Sequence, residues 1–192
     1  YRYGAKEFPL TLLVANGLSS ALLPHFSTRE GMKDALATLK KRSGKLIDIL
    51  FPISLLTMLF ARWFYPRLFN PEYFRSADVF LIYMLLIIPR LIFPQTIVIG
   101  RKKTHITLIA AIIEIAINVP LSIMLIPYNG VAGVAFATFF VYSLEKLFLM
   151  GYVWIKMKIK PTQYIPLVKY LIYSAVTVLL FVMIDHRWID FH

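Results

Sequence analysis

Long apolar segments, separated by short polar or proline-containing breaks, run through almost the whole chain. Each is about as long as a helix must be to cross a hydrocarbon layer about 30 Å thick, since a helix rises about 1.5 Å per residue. The segments lie at about 8–26, 45–68, 77–99, 104–126, 131–155 and 167–184. The pattern predicts an all-α fold, a polytopic transmembrane helix bundle of about six spans. The first span is the weakest, because Asn16, Gly17 and Pro24 interrupt it.

A basic stretch between the first and second spans has a different pattern. Ser27 and Glu30 have the spacing of a capping box, which marks the start of a helix. The helix that follows, about 28–42, places Leu36 and Leu39 on one side and is strongly basic. A basic amphipathic helix beside a membrane usually lies in the headgroup plane. We therefore expect a short basic interfacial helix here, separate from the second span.

Composition agrees with a lipid environment. Hydrophobic residues make up 59% of the 192 residues and charged residues only 16%, with a mean hydropathy of +0.69. Average soluble domains carry about 25% charged residues, so this chain has too few to cover a soluble surface. It has no cysteine, which excludes thiolate metal sites and disulfides. We expect no cofactor and no enzyme activity, because metal-ligand clusters, glycine-rich phosphate loops and nucleophile elbows are missing from the sequence.

The net charge of +11 is unevenly spread along the chain. If the spans alternate, twelve Lys and Arg residues fall in or beside the connections on one side of the membrane and six on the other. Lys and Arg concentrate in cytoplasmic loops, so the richer side is expected to be cytoplasmic, in a bacterial inner membrane. The richer set is Arg29, Lys33, Lys40, Lys41, Arg42, Lys45, Arg101, Lys102, Lys103, Lys156, Lys158 and Lys160. This distribution explains the charge without a nucleic-acid partner.

Three charged residues are predicted to lie at one depth inside the bundle. Arg90, Glu114 and Glu145 are each ten or eleven residues from the basic boundary of their span, which is about 15 Å and close to the midplane. Charges at that depth face protein or a water-filled cavity. One interpretation is a neutral cluster in which Arg90 and Lys146 compensate the two glutamates. The other is a polar cavity for an anionic head group or a coupling proton.

Further polar residues share faces with these charges. Asn118 lies one helical turn after Glu114 on the same face of its span, while Asn16 and Ser20 lie beside a polar stripe on the first span. These amide and hydroxyl groups favour either close helix packing or the wall of an aqueous cleft. Gly133 and Ala137, four residues apart, are typical of closely packed helices.

Several motifs resemble those of a known transporter family. They are Tyr3-Gly4-Ala5-Lys6-Glu7-Phe8-Pro9, Leu22-Leu23-Pro24-His25-Phe26-Ser27, Leu68-Phe69-Asn70-Pro71-Glu72-Tyr73-Phe74, Gly100-Arg101-Lys102-Lys103-Thr104, and Asn118 followed by Pro127-Tyr128-Asn129-Gly130, Gly133 and Ala135-Phe136-Ala137-Thr138. Their order resembles the C-terminal lobe of oligosaccharide (O-antigen-type) flippases of the multidrug/oligosaccharidyl-lipid/polysaccharide exporter superfamily. The resemblance covers nearly the whole chain.

The resemblance implies a transporter that moves lipid-pyrophosphate-linked oligosaccharide across the inner membrane by alternating access of two six-helix lobes. Its partners would be the lipid-linked oligosaccharide, the bilayer, a coupling proton or sodium ion, and an N-terminal lobe of the same polypeptide, since the chain begins at Tyr1 without Met. Residues 1–155 would form most of the C-terminal lobe, and residues 156–192 a basic loop, an additional helix and an external tail. Family cavities are lined with basic and polar residues, and Arg90 is the best match; the resemblance assigns no role to Glu114 or Glu145.

Other functions remain open on the sequence alone. A lipid II flippase or a multidrug/cation antiporter of the same superfamily would share the fold. A membrane-embedded cell-envelope enzyme or a membrane scaffold is the alternative of another class.

Overall fold

The computed structural model describes residues 9–26, 29–68 and 74–186, which form helices joined by short connections and contain no strand. The predicted all-α fold is confirmed. The helices are α1 (Pro9–Leu22), α2 (Arg29–Leu68), α3 (Phe74–Met84), α4 (Ile87–Arg90), α5 (Pro94–Gly100), α6 (Thr104–Asn129), α7 (Val131–Ile155) and α8 (Leu167–Asp185). Short 3-10 turns at Leu23–Phe26 and Pro161–Gln163 follow α1 and α7. The motif before Pro9, the Ser27 cap, the loop at 69–73 and the tail after His186 lie outside the described residues.

Four helices in the described residues are long and apolar enough to cross a membrane. They cover Gly31–Trp63, Thr104–Asn129, Val131–Ile155 and Leu167–Asp185. A fifth span is formed if Ala77–Arg90 and Pro94–Gly100 are taken together across a bend of 49°. The sequence prediction of about six spans is therefore too high for this part of the chain. The difference is α1, whose 14 described residues correspond to only about 21 Å.

The basic stretch after α1 is not a separate interfacial helix, and that prediction is wrong. It is the first half of α2, a single helix of 40 residues. Buried side chains continue through the expected junction at helical spacing, namely Leu36, Leu39, Ser43, Ile47 and Leu50. A single glycine such as Gly44 costs a helix only about 1 kcal/mol, less than burial of this stripe provides. At about 60 Å, α2 is twice as long as the hydrocarbon layer is thick, so its basic half extends beyond it.

Two buried apolar clusters hold the helices together, one towards each end of the bundle. The first includes Phe26, Leu39 and Ile159, and we call its end the basic end because the connections α5–α6 and α7–α8 meet there. The second, towards the opposite end, includes Met58 and Phe181. The long helices α2 and α7 contribute buried residues to both clusters, whereas α6 contributes none.

Helix α8 runs parallel to α2 and is tied to it by polar contacts towards both ends. Lys169 Nζ lies 2.8 Å from Asp48 Oδ2, and Arg62 Nη1 donates a 2.7 Å hydrogen bond to the carbonyl oxygen of Ile184. Between them the rings of Phe51 and Tyr173 stack at 5.4 Å. The last helix is thus an integral part of the bundle.

Helices α6 and α7 form a close antiparallel hairpin. Gly130 makes the turn with φ +56° and ψ −137°, a conformation that a side chain would strain. A Cβ atom on Gly133 would lie 2.6 Å from the carbonyl oxygen of Leu125, and Ala137 is fully buried. The predicted close packing at Gly133 and Ala137 is confirmed.

Candidate functional site

A buried ion pair lies in the middle of α7. Lys146 Nζ is 2.8 Å from Glu145 Oε2, and the two side chains are only 5% and 6% exposed. Isolated charges are costly to bury, so the pair must be compensated within the protein. Because neighbouring residues on a helix point about 100° apart, these two side chains also face two different sides of α7.

The lysine lies among polar groups that come from α7 itself and from the broken helix pair α4–α5. Lys146 Nζ donates a 3.0 Å hydrogen bond to Gln95 Oε1. Its ammonium lies 4.6 Å from the centre of the Tyr142 ring, and the guanidinium carbon of Arg90 lies 5.1 Å from the same centre. One aromatic ring therefore holds two cations, each attracted to the negative charge of its π face.

Proline chemistry explains why Arg90 and Gln95 reach α7 together. Pro94 has no N–H and occupies the first turn of α5, where none is needed, while α4 ends at Arg90. The three residues between them, Leu91, Ile92 and Phe93, are buried and anchor the break in the apolar core. The bend thus directs the end of one helix and the start of the next towards α7.

These groups line a small polar cleft of about 50 Å³ between α1, the α4–α5 break and α7. Its polar lining comprises Asn16, Ser19, Arg90, Gln95, Thr96, Tyr142 and Lys146. The hydroxyl oxygens of Ser19 and Thr96 are 2.6 Å apart and hydrogen bonded, which joins α1 to α5. We call this space the polar cleft. Its amides, hydroxyls and two cations form a suitable surface for an anionic group.

A second, larger space lies between α6 and α7. This apolar groove has a volume of about 330 Å³ and is lined by aliphatic and aromatic side chains together with Glu114 and Glu145. Glu114 lies within electrostatic range of Glu145, Lys146 and Arg90. No described residue makes a hydrogen bond or an ion pair with Glu114. The Glu145–Lys146 pair therefore separates a polar cleft from an apolar groove.

The structure brings together most of the residues selected from the sequence. Arg90 and Asn16 line the polar cleft, while Glu114 and Glu145 line the apolar groove. Both sequence interpretations capture part of the arrangement, because the charges include a buried pair and a polar cavity also exists. The sequence left open which cation pairs with which glutamate, and the structure pairs Lys146 with its own neighbour on α7, Glu145.

Two selected residues lie elsewhere. Asn118 accepts a 3.2 Å hydrogen bond from the hydroxyl of Ser122 one turn away on α6, so it serves its own helix. Ser20 is exposed on α1 and lines neither space. Helical spacing placed both on polar faces, but it did not show which of these faces meets a neighbour.

Sequence reasoning missed Gln95 and Thr96. It named Lys146 as a compensating charge, but it placed neither Lys146 nor Tyr142 among the cavity candidates. A signal was present, because Gln95-Thr96 is a polar pair directly after Pro94 within an otherwise apolar span. Polar side chains beside a helix break in a membrane helix satisfy backbone groups or line a cavity.

The fold and the site define an all-α bundle of the multi-pass membrane type with a charged interior. Comparison with family models, curated proteins and solved structures finds no match to the chain.

Proposed function

We propose that this chain is part of a membrane transporter that binds an anionic head group in the polar cleft and flips a lipid-pyrophosphate-linked oligosaccharide by alternating access. The observation that carries the proposal is the pair of cations on Tyr142, Arg90 and Lys146, inside the bundle. The choice of substrate rests on the sequence resemblance to oligosaccharide flippases.

The chemistry of the cleft supports an anion. Guanidinium and ammonium groups bind phosphate oxygens through charge-assisted hydrogen bonds, which are stronger than neutral ones. Asn16 and Thr96 add uncharged polar groups to the same wall. The cation on Lys146 is balanced by Glu145, so an arriving phosphate would compete with that carboxylate for the lysine.

The position of the cleft supports transport. It lies beside α7, one of the helices long and apolar enough to span a membrane, where a charged site marks a substrate or ion pathway by default. At about 50 Å³ it accommodates no sugar chain. The proposal therefore requires α1 and the α4–α5 pair to move away from α7 when substrate enters, as alternating access demands.

The proposal is tested by replacing Arg90 with glutamine in the full-length protein and measuring export of the lipid-linked oligosaccharide. We expect export to fall about tenfold or more, because a charged hydrogen bond contributes about 1.5–3 kcal/mol. Arg67→Gln is the matched control, since Arg67 is exposed and contacts only Trp63 among the described residues. Unchanged export by Arg90→Gln at normal protein level would remove Arg90 from the mechanism.

A multidrug/cation antiporter is the second candidate, and the apolar groove favours it. Carboxylates in an apolar groove bind lipophilic cations, which prefer low dielectric but need a negative partner. Glu114, which has no ion pair with a described residue, is the natural contact. Binding of tetraphenylphosphonium that is lost in Glu114→Gln but retained in Arg90→Gln would favour this function over the flippase.

A further inference from the structure

Two lysines in the connections at the basic end have a backbone conformation that is unusual for lysine. Lys102, between α5 and α6, has φ +58°, and Lys158, between α7 and α8, has φ +60°. No other non-glycine residue in the described ranges has a positive φ. This left-handed region is disfavoured for residues with a Cβ, and glycine or asparagine is the usual occupant.

Neither lysine is explained by contacts within the fold. Both side chains are exposed, and neither makes an ion pair or a side-chain hydrogen bond with a described residue. Glycine would satisfy both turns with less strain and lose no contact that the structure shows. Two turns at the same end therefore retain a positive charge where the backbone favours a different residue.

The turns that carry these lysines are held rigidly. The amide of Lys102 donates a 2.8 Å hydrogen bond to the carbonyl oxygen of Ile99. The amide of Lys103 donates a 3.0 Å hydrogen bond to the carbonyl oxygen of Val98. After Lys158, the amide of Ile159 donates to Val153 at 3.2 Å. Val98, Val153 and Ile159 all belong to the buried cluster of the basic end. The backbone beside both lysines is thus anchored to one buried cluster.

Other exposed lysines lie at the same end, either in the same connections or on the part of α2 that contributes Leu39 and Ile47 to the same buried cluster. We call this group the basic face and define it by Lys41, Lys45, Lys102, Lys103, Lys156 and Lys158, all exposed. The nearest described acidic side chain along α2, Asp48, is already paired with Lys169 at 2.8 Å. Asp48 therefore does not neutralise the lysines of the face.

The surroundings of the face indicate a lipid surface as its partner. Trp154 and Ile155, directly before Lys156, are 55% and 63% exposed, and Val168 on the adjoining α8 is 75% exposed. Exposed apolar and tryptophan side chains next to lysines are typical of the membrane–water boundary. A nucleic acid would leave these apolar residues uncovered, and they belong to α7 and α8, two of the helices long and apolar enough to cross a membrane.

We propose that the basic face binds the phosphate headgroups of anionic phospholipids in the leaflet that it adjoins, and that Lys102 and Lys158 contribute their charge to this contact. Positive residues at an anionic leaflet gain electrostatic free energy, whereas those at a zwitterionic one gain little. This proposal does not depend on what the polar cleft transports.

The test uses the full-length protein in nanodiscs of phosphatidylcholine with a rising fraction of phosphatidylglycerol, and native mass spectrometry counts the retained phosphatidylglycerol. The variant is Lys102→Gly with Lys158→Gly. Its expected Tm in pure phosphatidylcholine equals or exceeds that of the wild type, because strain is relieved. Its apparent affinity for phosphatidylglycerol should fall about fivefold per lysine removed.

The matched control is Lys102→Arg with Lys158→Arg, which keeps both the charge and the strained backbone and should bind phosphatidylglycerol like the wild type. Salt at about 0.5 M should reduce the difference between the glycine variant and wild type, because it screens exposed charges. Equal phosphatidylglycerol binding by the glycine variant and the wild type would overturn the proposal. So would a glycine variant with a lower Tm in pure phosphatidylcholine, since the lysines would then stabilise the fold itself.

Discussion

The polar cleft and the apolar groove lie on two sides of one helix and differ in almost every property. The cleft is small and lined by amides, hydroxyls and two cations, whereas the groove is larger and apolar apart from two carboxylates. The Glu145–Lys146 pair belongs to both, one residue to each side. The comparison shows how two adjacent residues, pointing about 100° apart on a helix, divide the surroundings of α7 into regions of opposite charge.

The largest expected effect comes from breaking that division. Lys146→Met leaves the carboxylate of Glu145 buried without its partner, which should lower the free energy of unfolding by about 3–5 kcal/mol. Adding Glu145→Leu should restore much of the loss, because an apolar pair needs no compensation. Chemical unfolding in detergent measures both.

The matched control is the pair Lys169–Asp48, whose N–O distance is also 2.8 Å but whose side chains are 44% and 45% exposed. Lys169→Met should cost no more than about 1 kcal/mol. Equal losses at the two lysines would show that Lys146 gains nothing special from burial and would contradict the proposed division of the surroundings of α7.

The next effect concerns the hairpin that forms the groove. Gly133→Ala places a Cβ atom against the backbone of Leu125. That Cβ atom would lie only 2.6 Å from the carbonyl oxygen of Leu125. The cost should be about 1–3 kcal/mol, as for other overpacked sites, with a wider groove between α6 and α7. Gly151→Ala on the same helix meets open space and should be neutral or stabilise by up to about 1 kcal/mol. Thermal unfolding compares the stabilities of the two variants. A Gly133→Ala variant as stable as the wild type would show that the hairpin is less closely packed than described.

A smaller effect is expected in the polar cleft, at the ring of Tyr142. Tyr142→Leu removes the ring that holds Arg90 and Lys146, and affinity for inorganic pyrophosphate should fall by about 0.5–2 kcal/mol, or about 2- to 30-fold. Tyr142→Phe keeps the π face and should bind like the wild type. Equal losses in the two variants would assign the effect to the hydroxyl and not to the ring.

The sequence predicted the helical class, the positions of α6, α7 and α8, and the clustering of Arg90, Glu114 and Glu145, because apolar length and charge depth are local properties. It failed at α2, where the basic amphipathic pattern suggested a separate helix, because the buried stripe from Leu36 to Leu50 keeps both halves in one helix. It also failed to identify Gln95 and to place Asn118, because spacing along one helix does not reveal which neighbour covers a face. The pairing of Lys146 with Glu145 depends on a low-dielectric interior built by other helices.

The central claim is that Arg90 and Lys146 make the polar cleft an anion site. The most direct measurement is calorimetric titration of inorganic pyrophosphate into the full-length protein in nanodiscs, comparing wild type, Arg90→Gln and Glu114→Gln. Affinity should fall about tenfold or more in Arg90→Gln and stay within about twofold of wild type in Glu114→Gln, since that residue lines the groove. Binding that is unchanged in Arg90→Gln, or lost equally in both variants, would contradict the claim.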